Sequence, residues 1–112
     1  MPEAPAVGLA GLDAEIVEAV QAAQTAVRVQ PRSPAAWGRL GLVLRAHEFG
    51  KESNFCFLQA ERLDAKDARW PYLIGLDLLG SDRDAALPWL RRAVKLADDA
   101  AVPRMRLAEV LA

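Results

Sequence analysis

The chain has 112 residues, a formal charge of −1 and 53% apolar residues, which fits one soluble, folded domain without a nucleic-acid binder's basic footprint. One cysteine and one histidine exclude an internal disulfide and a Cys/His metal cage, and no apolar run reaches the roughly 20 residues that span a bilayer. Alanine and leucine fill 38 positions against seven aromatics, a bias toward helix over sheet.

Residues 1–12 hold two prolines and two glycines and read as a flexible lead-in. They lack the basic start and apolar core of a signal peptide, so the expected compartment is the cytoplasm. A first helix is predicted over 13–30. Asp13 is its cap, Glu15 and Glu18 lie near the positive end of the dipole, and Ile16, Val20, Ala23 and Val27 share one face. It stops before Pro31. Ser33-Pro34 opens a second helix that runs to about His47, with Trp37, Leu40, Val43 and Leu44 turned inward. Glu48-Phe49-Gly50 breaks it.

A third helix follows from about Lys51 to Leu63, carrying Phe55, Phe57 and Leu58, and Asp64 to Asp67 form a polar turn. A fourth runs from about Ala68 to Leu79, with Pro71 in its first turn. Ser81 and Asp84 have capping-box-like spacing at the start of a fifth, which runs to about Ala97. Pro88 predicts a late start or a kink there. Asp98-Asp99 precede a last helix from about Ala101 to Ala112, with Pro103 in its first turn. No segment alternates with period two, so no strand is predicted.

These helices repeat. Leu40-Gly41-x-x-Leu44 returns as Ile74-Gly75-x-x-Leu78, 34 residues on, and as Leu107-Ala108-x-x-Leu111, 33 residues after that. Phe57-x-x-Ala60 returns as Leu90-x-x-Ala93. A helical hairpin at such a period is the mark of a solenoid. Glycine inside a helix costs about 1 kcal/mol relative to alanine, so its return at one phase predicts a neighbouring helix passing close by.

With those residues in view, the chain resembles the tetratricopeptide repeat family. Trp37-x-x-Leu40-Gly41-x-x-Leu44 matches that family's first helix, and Ser53, Phe57 and Ala60 its second, with serine in place of alanine. The next repeat gives Ile74, Gly75 and Leu78, then Ala86, Leu90 and Ala93. It departs in carrying Trp70 one place early, Pro71 at the Trp position and a turn one residue short. The helix before Pro31 resembles a second helix, with Ala19, Ala23 and Ala26. The resemblance implies an all-α, right-handed superhelix of antiparallel hairpins with about six helices. Its units are an unpaired helix at 13–30, repeats at 34–66 and 67–99, and a partial repeat or cap at 100–112.

It also implies a non-catalytic scaffold that binds a peptide or partner protein along the first helices. Carried over, that concave face is Ala35, Gly38, Leu42, Arg45 and Ala46, then Arg69, Tyr72, Leu76 and Leu79, then Val102, Met105, Arg106 and Glu109. Leu42, Tyr72, Leu76, Leu79 and Met105 offer apolar contact, and Arg45, Arg69 and Arg106 suit an acidic group. The positions with which some members grip a C-terminal carboxylate are Gly38, Leu42, Leu73, Val102 and Arg106. Only the arginine fits, which argues against that ligand.

Catalysis has little support and no cofactor is expected. His47 ends a helix, where a cation favours the dipole, and Cys56 reads as a small buried apolar group. A Cys56–His47 dyad requires contact across a hairpin. Asp82-x-Asp84 and Asp98-Asp99 read as caps and turns, Arg91-Arg92-x-x-Lys95 as a solvated face, and Trp37, Trp70 and Trp89 as core. The chain stops after a first-type helix whose Leu107, Val110 and Leu111 lack the usual cover. A piece of a longer protein is the favoured reading. A polar cap and a two-fold dimer through this C-terminal helix are the others.

Overall fold

The structure, a computed structural model, describes residues 2–99. Among them are five α-helices and no strand: α1 (Ala14–Val29), α2 (Pro34–Ala46), α3 (Gly50–Leu63), α4 (Arg69–Leu79) and α5 (Arg83–Asp99). The expected sixth helix lies outside the described residues. The chain divides into two compact units, the first ending at Leu63 and the second beginning at Asp64.

In the first unit the helix ends are set by local chemistry. The Asp13 carboxylate accepts the Glu15 N–H at 2.9 Å, and Ser33 Oγ accepts the Ala36 N–H at 3.1 Å, with Pro34 as the first residue of α2. The N–H of Glu48 bonds to the Arg45 carbonyl and that of Phe49 to the Leu44 carbonyl, the two-bond closure of a Schellman motif. Its left-handed position, usually glycine, is Glu48 at φ 68°. The break therefore falls at Glu48, and Gly50 already belongs to α3.

α1 packs on α2, and α2 packs on α3. Val20, Ala23 and Val27 are buried as their spacing predicts, together with Trp37, Leu40, Leu44, Phe57 and Ala60. Val43 is only half-buried, and Phe55 lies partly exposed with its ring edge-on to Trp37 at 6.0 Å between centroids. Trp37 is fully buried because its one polar atom is satisfied: Nε1 donates to the Pro31 carbonyl at 2.8 Å. Ser53 fits an otherwise apolar contact because its hydroxyl donates to the Gly50 carbonyl at 3.0 Å. The lead-in forms no helix or strand over residues 2–12, yet it is tied to α1 where Gln24 Nε2 donates to the Pro5 carbonyl at 3.0 Å.

In the second unit α4 packs on α5. Pro71 is the third residue of α4, where its missing N–H leaves no intrahelical bond unmade. Trp70, Pro71, Ile74 and Gly75 of α4 are buried, as are Ala86, Leu90 and Ala93 of α5, with Gly75 set against Leu90.

Four expectations are corrected here. The cap of α5 is Asp82, whose Oδ1 accepts the Ala85 N–H at 3.1 Å, so Ser81 does not cap it. α5 starts at Arg83 and continues through Pro88, with no late start. The bond that Pro88 forfeits belongs to the carbonyl of Asp84, and both residues are exposed, where solvent can take its place. Asp98 and Asp99 remain in the helix rather than forming a turn. Trp89 is half-buried rather than core.

Candidate interaction faces

Each hairpin is closed by a glycine. A β-carbon built on Gly41 would lie 2.6 Å from Phe57 Cε1 and 2.8 Å from its Cδ1. One built on Gly75 would lie 2.6 Å from Leu90 Cδ2, 2.7 Å from its Cγ and 3.3 Å from its backbone nitrogen. Real β-carbons are not found that close, so in both units glycine lets the second helix approach through a bulky apolar side chain. Of the residues predicted to carry the repeat packing, Trp37, Leu40, Gly41, Leu44, Phe57, Ala60, Ile74, Gly75, Leu90 and Ala93 are buried and Leu78 is half-buried. Leu107, Ala108 and Leu111 lie outside the described residues.

Beside the residues that α2 turns to its neighbours, others on it face outward. Leu42 is 46% exposed, and Ala35, Arg45 and Ala46 are exposed too, whereas Gly38 is buried. On α4 the corresponding positions are Arg69 and Leu79, both exposed (Leu79 by 42%), with Tyr72 and Leu76 half-buried. Leu42, Leu76 and Leu79 can therefore still lose apolar surface to a ligand, at about 25 cal/mol per Å² covered. The other expected face residues, Val102, Met105, Arg106 and Glu109, lie outside the described residues, as does the edge expected to form a dimer.

Arg69 is already engaged. Its Nη2 donates to Asp67 Oδ2 at 2.7 Å and its Nε to Oδ1 at 3.1 Å, while its backbone N–H bonds to Oδ1 at 3.0 Å. The guanidinium also lies 4.7 Å from the centroid of the Trp70 ring. Burial alone would raise the Asp67 carboxyl, but the hydrogen bonds and charge of Arg69 outweigh it and hold the group below its ordinary value. An acidic ligand at Arg69 would have to share it with Asp67.

Cys56 is fully buried, and its thiol is pushed up to about 12, first by burial and second by the charge of Glu52. It is a protonated packing group at neutral pH, not an activated nucleophile. Arg92, expected on a solvated face, reaches from α5 to the Ala65 carbonyl at 3.4 Å. Among the described residues no group of three His, Cys, Asp or Glu is placed to hold a metal ion, and no helix is long and apolar enough to cross a membrane.

One feature had no forecast from the sequence: a shallow concavity of about 340 Å³ lined by Leu87, Leu90, Arg91 and Val94 of α5. The signal was present as Leu87, Leu90 and Val94 at i, i+3 and i+7. No family model matches the chain, and no curated protein matches it.

Proposed function

We propose that the chain is a short tetratricopeptide-like array, its hairpins stacked as a solenoid of about six helices, and that it serves as a non-catalytic scaffold. Its ligand is a peptide or partner protein that lays apolar side chains on the outward faces of α2 and α4. The observation that carries this reading is the glycine contact made twice at one repeat phase, Gly41 with Phe57 and Gly75 with Leu90. Around it, both first helices keep apolar side chains on the surface: Leu42 on α2 and Leu79 on α4, with Tyr72 and Leu76 beside the latter. An apolar helix or extended segment suits such faces, and Arg45 adds a cation for an acidic residue of the ligand.

Capture of a partner by the wild-type chain and by Tyr72→Ala and Leu76→Asp variants tests this reading. Loss of capture with an unchanged helical spectrum is expected. Undiminished capture by both variants would remove the face from consideration.

A further inference from the structure

Residues 2–12 form no helix or strand, yet their burial alternates. Pro5, Val7 and Leu9 are half-buried, while Ala6, Gly8 and Ala10 between them are exposed. A β-carbon built on Gly8 would meet nothing within 4 Å. Burial with period two is that of an extended segment laid on a surface by one edge. Two fixed points give its course. The Leu12 N–H bonds to the Leu9 carbonyl at 3.3 Å, and Gly11 between them sits at φ 81°, the positive angle that a type II turn requires at its third residue. At the other end Gln24 Nε2 donates to the Pro5 carbonyl at 3.0 Å. From Ala14 to Gln24 the helix rises about 15 Å, and from Leu9 back to Pro5 an extended chain covers about 13 Å. The segment therefore runs back along α1, opposite to it in direction.

We propose that the face of α1 around Gln24 is a binding site for an extended peptide, filled in cis by residues 4–9, and that an extended segment of a partner protein with the same chemistry enters when these residues lift away. Gln24 is 8% exposed in a stripe otherwise made of Val20, Ala23 and Val27. Packing alone is served by an apolar side chain there, whereas a buried amide needs a polar partner, and the one it has is main chain. Every residue type offers that carbonyl, so Gln24 selects an extended backbone, and the half-buried edge selects apolar side chains at alternate positions. The cis segment is built to exchange. None of residues 2–12 is fully buried, and the turn at Gly11 is a hinge that leaves α1 intact when the segment departs. Its covalent link holds it near the site at an effective concentration on the order of millimolar, which a competing segment has to overcome.

This site lies within the first unit and depends neither on the repeat nor on a ligand of α2 and α4. The test adds a synthetic peptide of residues 2–10 to the full chain and follows the amide shifts of α1 and of the Gln24 side chain. In a full chain carrying Val7→Asp and Leu9→Asp, which frees the site, the peptide should bind at least roughly tenfold more tightly than in the wild type. Adding Gln24→Leu should weaken it by at least about fivefold, the worth of one hydrogen bond. Ala6→Asp in the peptide should leave binding unchanged, since that position faces outward, and Val7→Asp in the peptide should abolish it. No binding to the freed chain overturns the proposal. So do shifts that fall outside α1, equal affinity with and without Gln24, and equal binding of the two altered peptides. Should the freed chain lose its helical spectrum, the wild type decides through the nanosecond order of its own residues 4–9. These should be ordered in the wild type and loosened by Gln24→Leu with α2 and α3 unchanged, and order indifferent to that substitution overturns the proposal.

Discussion

Gly41 and Phe57 are packed so closely that a β-carbon on the glycine would lie 2.6 Å from the aromatic ring. In an open helix Gly→Ala stabilises by about 1 kcal/mol. Here the added methyl meets a ring that is itself fully buried. Gly41→Ala should therefore destabilise the chain by about 1–3 kcal/mol, the usual cost of overpacking. Phe57→Ala alone should cost about 3–5 kcal/mol through its cavity. The double variant should cost clearly less than the two summed, since each change relieves the other. Urea unfolding of the four proteins checks this, and strict additivity would show that the two residues do not meet.

Glu48 supplies a second case, in which the backbone is the constraint. It closes α2 in the left-handed region at φ 68°, which a side chain disfavours. Its side chain is exposed, so Glu48→Gly should gain about 0.5–1 kcal/mol by removing the penalty of the β-carbon. A rise in melting temperature checks it, and an unchanged or lower one would speak against the left-handed closure.

Trp37 anchors the loop before its own helix through its bond to the Pro31 carbonyl. Trp37→Phe keeps most of the apolar contact and loses that donor, so it should cost about 1–3 kcal/mol. Amide exchange at residues 31–34 should quicken more than exchange in α3. Equal effects across both would mean that the ring matters only as volume.

The pairing of Asp67 with Arg69 fixes a pH dependence. A carboxyl held below its ordinary value stabilises the fold fully above the unfolded value, and that contribution is lost as pH falls through the lowered one. Because Arg69 is largely exposed, the pair is worth under about 1 kcal/mol. Carboxyl carbon shifts should titrate lower for Asp67 than for a free aspartate, and Arg69→Gln should move the midpoint up. A midpoint indifferent to that substitution would deny the pairing.

The helices were legible because their ends are written locally: Asp13, Ser33-Pro34 and the turn after Leu63 mark boundaries that the structure keeps within about a residue. The two glycine contacts were legible because helix interiors penalise glycine unless packing demands it. Pro88 misled because sequence does not show which side of a helix will be solvated, and solvation is what lets α5 carry it. The engagement of Arg69 was hidden because it depends on how the turn before α4 aims the Asp67 carboxylate, two residues away. The α5 concavity was hidden for a related reason, since an apolar stripe does not announce whether a neighbour covers it.

In the proposed function the outward faces of α2 and α4 receive an apolar peptide. The most direct measurement selects ligands for the folded chain from a random peptide library and maps the bound site by amide chemical shifts. The largest shifts should fall at Leu42, Arg45, Tyr72, Leu76 and Leu79, and Leu42→Asp with Leu76→Asp should abolish binding. Shifts confined to α1, α3 or α5, or binding indifferent to both substitutions, would rule out these faces as the ligand site.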